Sequence, residues 1–206
     1  MKSCSLLLLP LVVSLSSVTC AWADVETGSS APDFALPDTI GQTRHLSDYK
    51  GKFVVLEWYN PDCPFVGKHY RSGNMQQLQK EYTAKGVVWL TIDSSAPGEQ
   101  GNYPAEKLNE ISTKVGAART ALLLDPEGKI GHLYGAKTTP DMYVIDPKGN
   151  LVYRGAIDNK RSTNEADVKP ATNYVRQTLD AVMDGKPVPT SSTQPYGCTV
   201  KYASDS

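Results

Sequence analysis

The stretch Lys52–Phe65, KFVVLEWYNPDCPF, decides the fold. Residues 52–59 are nearly continuous apolar and β-branched, the pattern of a strand buried on both faces of a parallel sheet. A turn follows, and helical sequence begins at Pro64, a residue tolerated in the first turn of a helix. Cys63 therefore stands where a buried strand passes into a helix. Unpaired backbone N–H groups and the dipole at a helix start favour a thiolate, so this is the setting of a redox cysteine. The competing reading is an inert buried thiol. Three residues on, where a C-x-x-C pair would place its second sulfur, the chain has Val66.

Outward from this stretch, strands and helices alternate. On the N-terminal side, PDFALPDTIGQTRHLSDYKGK reads as two short strands around Asp38 to Gly41, then a loop. On the C-terminal side, the helix carries Met75, Leu78 and Tyr82 on one face, with a kink or restart expected at Ser72-Gly73-Asn74 because glycine is a poor interior residue. GVVWLTID (86–93) is a second buried strand, and SSAPGEQGNYP after it is a Pro/Gly loop expected to be exposed. Residues 104–118 look helical, ALLLD (121–125) is a short strand, and a short helix follows. MYVID (142–146), PKGN and LVYRGAI (151–157) form a hairpin. Residues 169–184 are the clearest helix, with Ala171, Tyr174, Val175, Thr178, Leu179, Val182 and Met183 on one face, Pro170 in its first turn and Gly185 at its end. This order makes an α/β fold with a mixed sheet.

The N-terminus reads as a targeting segment. Residues 1–23 carry Lys2, an apolar core from Leu6 to Val13 and Ala21-Trp22-Ala23, an A-x-A cleavage signature. The apolar run is too short to span a bilayer. Cleavage near Ala23 and export to a periplasmic or extracellular space is expected; a lipoprotein signal on Cys20 is the alternative, with Ser17-Val18-Thr19 a poor approach to it. Of four cysteines, Cys4 and Cys20 would leave with that segment. Cys63 and Cys198 would remain, candidates for one disulfide in an oxidising compartment. The globular domain is expected over 24–185, with a tail at 186–206. A net charge of -1 and a pI near 6.3 give no basic footprint for nucleic acid.

VVLEWYNPDCPF, TTPDMYVIDPKGNLVYRGAID and the closing helix resemble the thioredoxin-like superfamily, and within it the redoxin branch of alkyl hydroperoxide reductase and thiol-specific antioxidant proteins. The opening SSAPDFALPDTIGQTRHLSDYKGKFVVLEWY is similar to the start of that branch, so the resemblance spans about residues 29–184. It implies a thioredoxin-like sandwich, a central mixed sheet flanked by helices with an N-terminal β extension, and Cys63 as nucleophile. It implies a cis-proline at Thr139-Pro140 beside the thiol, positioning substrate; the alternative is a trans proline that opens a strand. It also implies a proton-transfer role for Glu57, whose alternative is an edge glutamate. Lys68 and His69, in the first turns after Cys63, read as surface residues, the alternative being a cation that helps hold the thiolate. Six residues place His69 about 240° around the helix from Cys63, which argues against a shared metal site. His45 and His132 have no constellation around them, and neither metal nor cofactor is expected.

Two departures qualify the reaction. The peroxiredoxin signature P-x-x-x-[ST]-x-x-C would need Pro at 56 and Ser or Thr at 60; the chain has Leu56 and Asn60. The second cysteine of thioredoxin is replaced by Val66. That leaves Cys198, in PYGCTVKY, where Tyr196, Val200 and Tyr202 alternate as if the tail docks in extended form. Cys198 reads either as a resolving cysteine or as half of a permanent staple. Such a staple would stabilise the fold by roughly 4–5 kcal/mol in the chain-entropy model. The expected activity is thiol-dependent oxidation-reduction on a protein disulfide or a peroxide, with electrons from a thioredoxin-like protein; a stapled binding module without turnover is the alternative.

Overall fold

A computed structural model describes residues 25–203. The expected signal segment, with Cys4, Cys20 and the A-x-A signature, lies outside the described residues.

The first elements of the described residues form a small antiparallel hairpin, β1 (Ala35–Pro37) and β2 (Thr43–His45). Asp38 holds its turn: one carboxylate oxygen accepts from the Ile40 and Gln42 N–H groups at 3.0 and 2.8 Å, the other from Arg44 Nε at 2.8 Å. A 3-10 turn at Leu46–Tyr49 leads into β3 (Val54–Trp58), in which every residue is buried. Then follow α1 (Pro64–Arg71), α2 (Asn74–Ala84), β4 (Val88–Asp93), α3 (Ala105–Val115), β5 (Ala121–Leu124), α4 (Lys129–Tyr134), β6 (Thr138–Thr139), β7 (Asp141–Ile145), β8 (Leu151–Gly155), α5 (Tyr174–Met183) and β9 (Cys198–Thr199).

The central sheet has the order β5-β4-β3-β7-β8. β3 lies in its middle, parallel to β4 and antiparallel to β7. Its continuous apolar run reflects this: a central strand covered on both faces has no side open to water. Val55 and Tyr59 face a layer built from α1, α2, α3 and α5, with Val66, Met75, Leu78, Tyr82, Leu108, Val175 and Leu179. Val54, Leu56 and Trp58 face the opposite layer, with Phe34, Leu36, Leu46 and Tyr134. The fold is thioredoxin-like, a mixed sheet between helical layers.

The break between α1 and α2 falls at Gly73, whose φ of 76° suits glycine and ends the first helix's geometry. Two expectations need correction. The last helix begins at Tyr174, not near 169; Asn173 caps it, its side chain accepting from Arg176 N–H at 2.9 Å, and a β-bridge to Asp158 holds Asn173 extended. Pro170 lies in the preceding turn. The loop after β4 is not exposed throughout: Ser94, Ser95 and Ala96 are buried, because the C-terminal segment crosses them and the Ala96 N–H donates to Lys201 O at 2.8 Å.

Candidate functional site: two thiols on the β6 edge

Cys63 is the N-cap of α1, in extended conformation, with Pro64 as the first helical residue. The turn before it is fixed by Asn60, which is buried. Its side-chain oxygen accepts from Asp62 N–H at 2.9 Å, and its amide donates to Gln100 O at 2.7 Å and to Ser95 Oγ at 3.3 Å. The residue standing where peroxiredoxins place a hydroxyl thus ties the cysteine turn to the loop after β4. Val66, in place of a second helix cysteine, is a buried core residue.

The Cys63 thiol is 2% exposed and donates to the carbonyl oxygen of Thr139 at 3.0 Å. The Thr139–Pro140 peptide bond is cis. Thr139 is itself buried, and among the described residues its hydroxyl has no hydrogen-bond partner. Thr138–Thr139 pairs antiparallel with β9, in a register that sets Thr139 opposite Cys198. Four of the expected site residues, Cys63, Thr139, Pro140 and Cys198, therefore meet at one point. Both cysteines are free thiols, and both stand against Thr139, Cys63 through its hydrogen bond and Cys198 through the β9 register.

The electrostatics of the pair are asymmetric. Burial, a hydrogen bond with Cys63 and the charge of Cys63 push the Cys198 thiol up to about 12. The Lys201 charge and the Phe65 backbone N–H pull it down. The N–H of Phe65 is one of the unpaired donors at the start of α1, so part of the helix terminus addresses the Cys198 sulfur.

Glu57 is neither at an edge nor exposed. It is fully buried in the middle of β3 and accepts from Tyr70 Oη at 2.9 Å, Gln79 Nε2 at 3.2 Å, Trp89 Nε1 at 2.8 Å and Thr91 Oγ1 at 3.1 Å. These donors come from α1, α2 and β4. The Arg119 guanidinium lies over the Tyr59 and Tyr70 rings, 5.0 and 5.8 Å from their centroids.

The surface positions expected for Lys68 and His69 are overturned: both are completely buried. The loop after β8 and the C-terminal tail cover that flank of α1, which no local pattern in α1 reveals. Lys68 Nζ lies 3.4 Å from Asp158 Oδ2, donates to Lys160 O at 2.7 Å and meets Tyr196 Oη at 3.3 Å. Tyr196 Oη donates to the other Asp158 oxygen. His69 Nε2 stands 3.8 Å from Asp158, and its Nδ1 pairs with Asn74 at 2.9 Å. Burial, with the Lys68 charge adding to it and Asp158 opposing, holds the His69 imidazole down at about 4. Asp158 is the residue that sequence reasoning missed; Tyr196 docks with the tail as its alternation with Val200 and Tyr202 suggested, but its pairing with Asp158 was not foreseen. The one available signal was an acid directly after the apolar Ala156-Ile157 of the last hairpin.

This geometry defines a thioredoxin-like redoxin with one helix-capping cysteine and a second thiol delivered by the tail. The chain belongs to the AhpC/TSA family, which it matches over residues 27–154. It is 28% identical over 129 residues to the thiol-disulfide oxidoreductase ResA of Geobacillus thermodenitrificans, covering 62% of this chain and 67% of that one. It is 26% identical over 147 residues to the thioredoxin-like protein YneN of Bacillus subtilis, covering 70% and 81%. Among solved structures, an uncharacterized conserved protein from Geobacillus kaustophilus superposes with a TM-score of 0.78 at 29% identity, over 88% of this chain and 94% of that one. A thiol:disulfide interchange protein assigned as DsbE from Chlorobium tepidum gives a TM-score of 0.52 at 30% identity, over 64% and 85%.

Proposed function

We propose that the protein is an exported thiol–disulfide oxidoreductase in which Cys63 is the attacking thiol and Cys198 resolves the product. The observation that supports this reading is the β6–β9 register: Cys198 stands opposite Thr139, whose carbonyl oxygen accepts from the Cys63 thiol. The Cys63 thiolate attacks one sulfur of a protein disulfide, forming a mixed disulfide and releasing the partner's other sulfur as a thiolate. Cys198 then loses its proton and attacks Cys63 Sγ. The Cys63–Cys198 disulfide forms, the partner leaves as a dithiol, and a thioredoxin-like dithiol protein returns two electrons to the enzyme.

The charge balance supports this order. Two of the causes that hold Cys198 protonated belong to Cys63, its charge and its hydrogen bond. Both vanish when Cys63 enters a mixed disulfide, while Lys201 and the Phe65 N–H still favour the Cys198 thiolate. Thr139 and Pro140 position the segment that meets Cys63. Four donors occupy the Glu57 carboxyl group, so we assign it to orienting Tyr70 of α1 behind the thiol, with proton transfer limited to what passes through that hydroxyl. Peroxide is the less favoured substrate, because Asn60 is committed to the turn. The A-x-A signature at Ala21-Trp22-Ala23 supports export.

The test is a trap. Cys198→Ser should accumulate a mixed disulfide on Cys63 when mixed with an oxidised model protein, and Cys63→Ser should accumulate none. A wild-type disulfide too reducing to be opened by thioredoxin, together with no trapped species, would show a static staple instead.

A further inference from the structure

The edge of β6 beside Cys63 is already occupied by the protein's own tail. Thr139 faces Cys198 and Thr138 faces Thr199 in an antiparallel pair. Gly197 lies so close that a Cβ there would stand 2.0 Å from the Thr139 carbonyl oxygen, the same oxygen that accepts from Cys63. Its φ of 151° also belongs to glycine. On one side the tail is held by Tyr196, through Asp158 and through an edge-on contact with Phe65 at 5.9 Å. On the other side the Val200 N–H donates to Lys137 O at 3.2 Å, Tyr202 Oη donates to Ala136 O at 2.8 Å, and the Tyr202 ring stacks on His132 at 4.0 Å. Under this cover Cys63 is 2% exposed. A sulfur so enclosed cannot meet the disulfide of another protein, since exchange requires access to the attacking thiol.

We propose that β9 is an exchangeable strand: an extended segment of a protein partner replaces residues 196–202 on Thr138–Thr139, with glycine in register with Gly197 and its cysteine in register with Cys198. Strand addition of this kind takes its affinity from main-chain hydrogen bonds and its specificity from how side chains fit at each register position. Here the most restrictive position is the one before the cysteine, where the Thr139 carbonyl leaves no room for a Cβ. A two-residue ladder is a weak attachment, so a competing strand can take its place once the Tyr196 and Tyr202 contacts and the Val200 and Lys201 backbone bonds open. Return of β9 ejects the partner's segment and brings Cys198 to Cys63, which couples product release to resolution. The partner's cysteine and this last coupling rest on the thiol-exchange reading above.

Access to Cys63 in the full-length reduced protein tests the proposal. Cys63 labelling by a polymer-linked maleimide, followed by peptide mapping, should be equally slow in wild type and Cys198→Ser. It should be about tenfold faster or more in Gly197→Val, where the strand cannot seat. Hydrogen exchange should stay slow in β3 and β7 of that variant, showing an intact sheet, and speed up at Thr199 and Val200. A peptide of residues 195–202 carrying Cys198→Ser should restore slow labelling to Gly197→Val, and the same peptide with the Gly197→Val change as well should not. Slow labelling of Gly197→Val, or a peptide without effect, would overturn the proposal. If Cys198→Ser traps no mixed disulfide while this labelling pattern holds, the exchange chemistry fails and the exchangeable strand stands.

Discussion

At the scale of single residues, the pairing of two thiols was half legible. Counting cysteines after removal of residues 1–23 leaves Cys63 and Cys198. Their meeting depends on a two-residue ladder between distant segments, which no local pattern encodes. The asymmetry of the pair gives a direct check. Replacing Cys63 by Ser removes the neighbouring thiol's charge from the environment that pushes Cys198 up to about 12. The Cys198 thiol should then titrate at lower pH, read as thiolate absorbance at 240 nm; an unchanged titration would mean that burial alone sets it. Thr139 offers a second check. Its hydroxyl is buried and unpartnered, so Thr139→Val removes a desolvated polar group that contributes nothing to the folded state. Stability should be unchanged or higher by about 1 kcal/mol in urea unfolding. A loss of exchange activity in that variant would then report on the site rather than on the fold.

At the scale of elements, strands were read more securely than what lies between them. The apolar runs of β3 and β4 announce central strands because both faces are covered. A glutamate within such a run announces that something must satisfy it, but not what. The answer comes from three elements at once: Tyr70 in α1, Gln79 in α2, and Trp89 and Thr91 in β4. Glu57 therefore acts as a polar rivet between the sheet and the helix that presents Cys63. Glu57→Ala would leave these donors buried without an acceptor, at a cost of about 3–5 kcal/mol. Glu57→Gln keeps one acceptor oxygen and should cost less, and both should appear as shifts in the urea midpoint. Equal stability of wild type and Glu57→Ala would mean that water replaces the carboxylate. Lys68 and His69 were misread for a related reason. Their burial is imposed by Asp158 and Tyr196, from segments far along the chain, whereas helix periodicity reports only the face toward the sheet.

At the scale of the whole molecule, buried titrating groups set how stability changes with pH. Burial raises Asp141 to about 7 against hydrogen bonds from the Lys137, Met142 and Thr138 backbone. Burial also raises Asp93 to about 6, with the Asp62 charge adding and Ser95 opposing. In the unfolded chain these carboxyls titrate near ~3.9. Between pH ~4 and ~7 the folded state thus holds protons that the unfolded chain has released, and stability falls as pH rises through that window. His69 acts in the opposite sense. Its imidazole titrates at about 4 when folded and near ~6.5 when unfolded, so its contribution grows as pH rises over the same range. Two carboxyls outweigh one imidazole, and the melting temperature should be higher near pH 5 than near pH 7.5. Asp33, Asp38 and Glu81, all held below the usual carboxylate range, lose their contributions only at more acid pH. Asp141→Asn keeps an acceptor for the Lys137 N–H, found at 3.2 Å, but has no proton to lose. It should raise the melting temperature at pH 7.5, change it little at pH 4, and flatten the profile between them. A variant less stable than wild type at pH 7.5 would instead show that the Arg154 charge outweighs burial and holds the Asp141 carboxyl below its ordinary range.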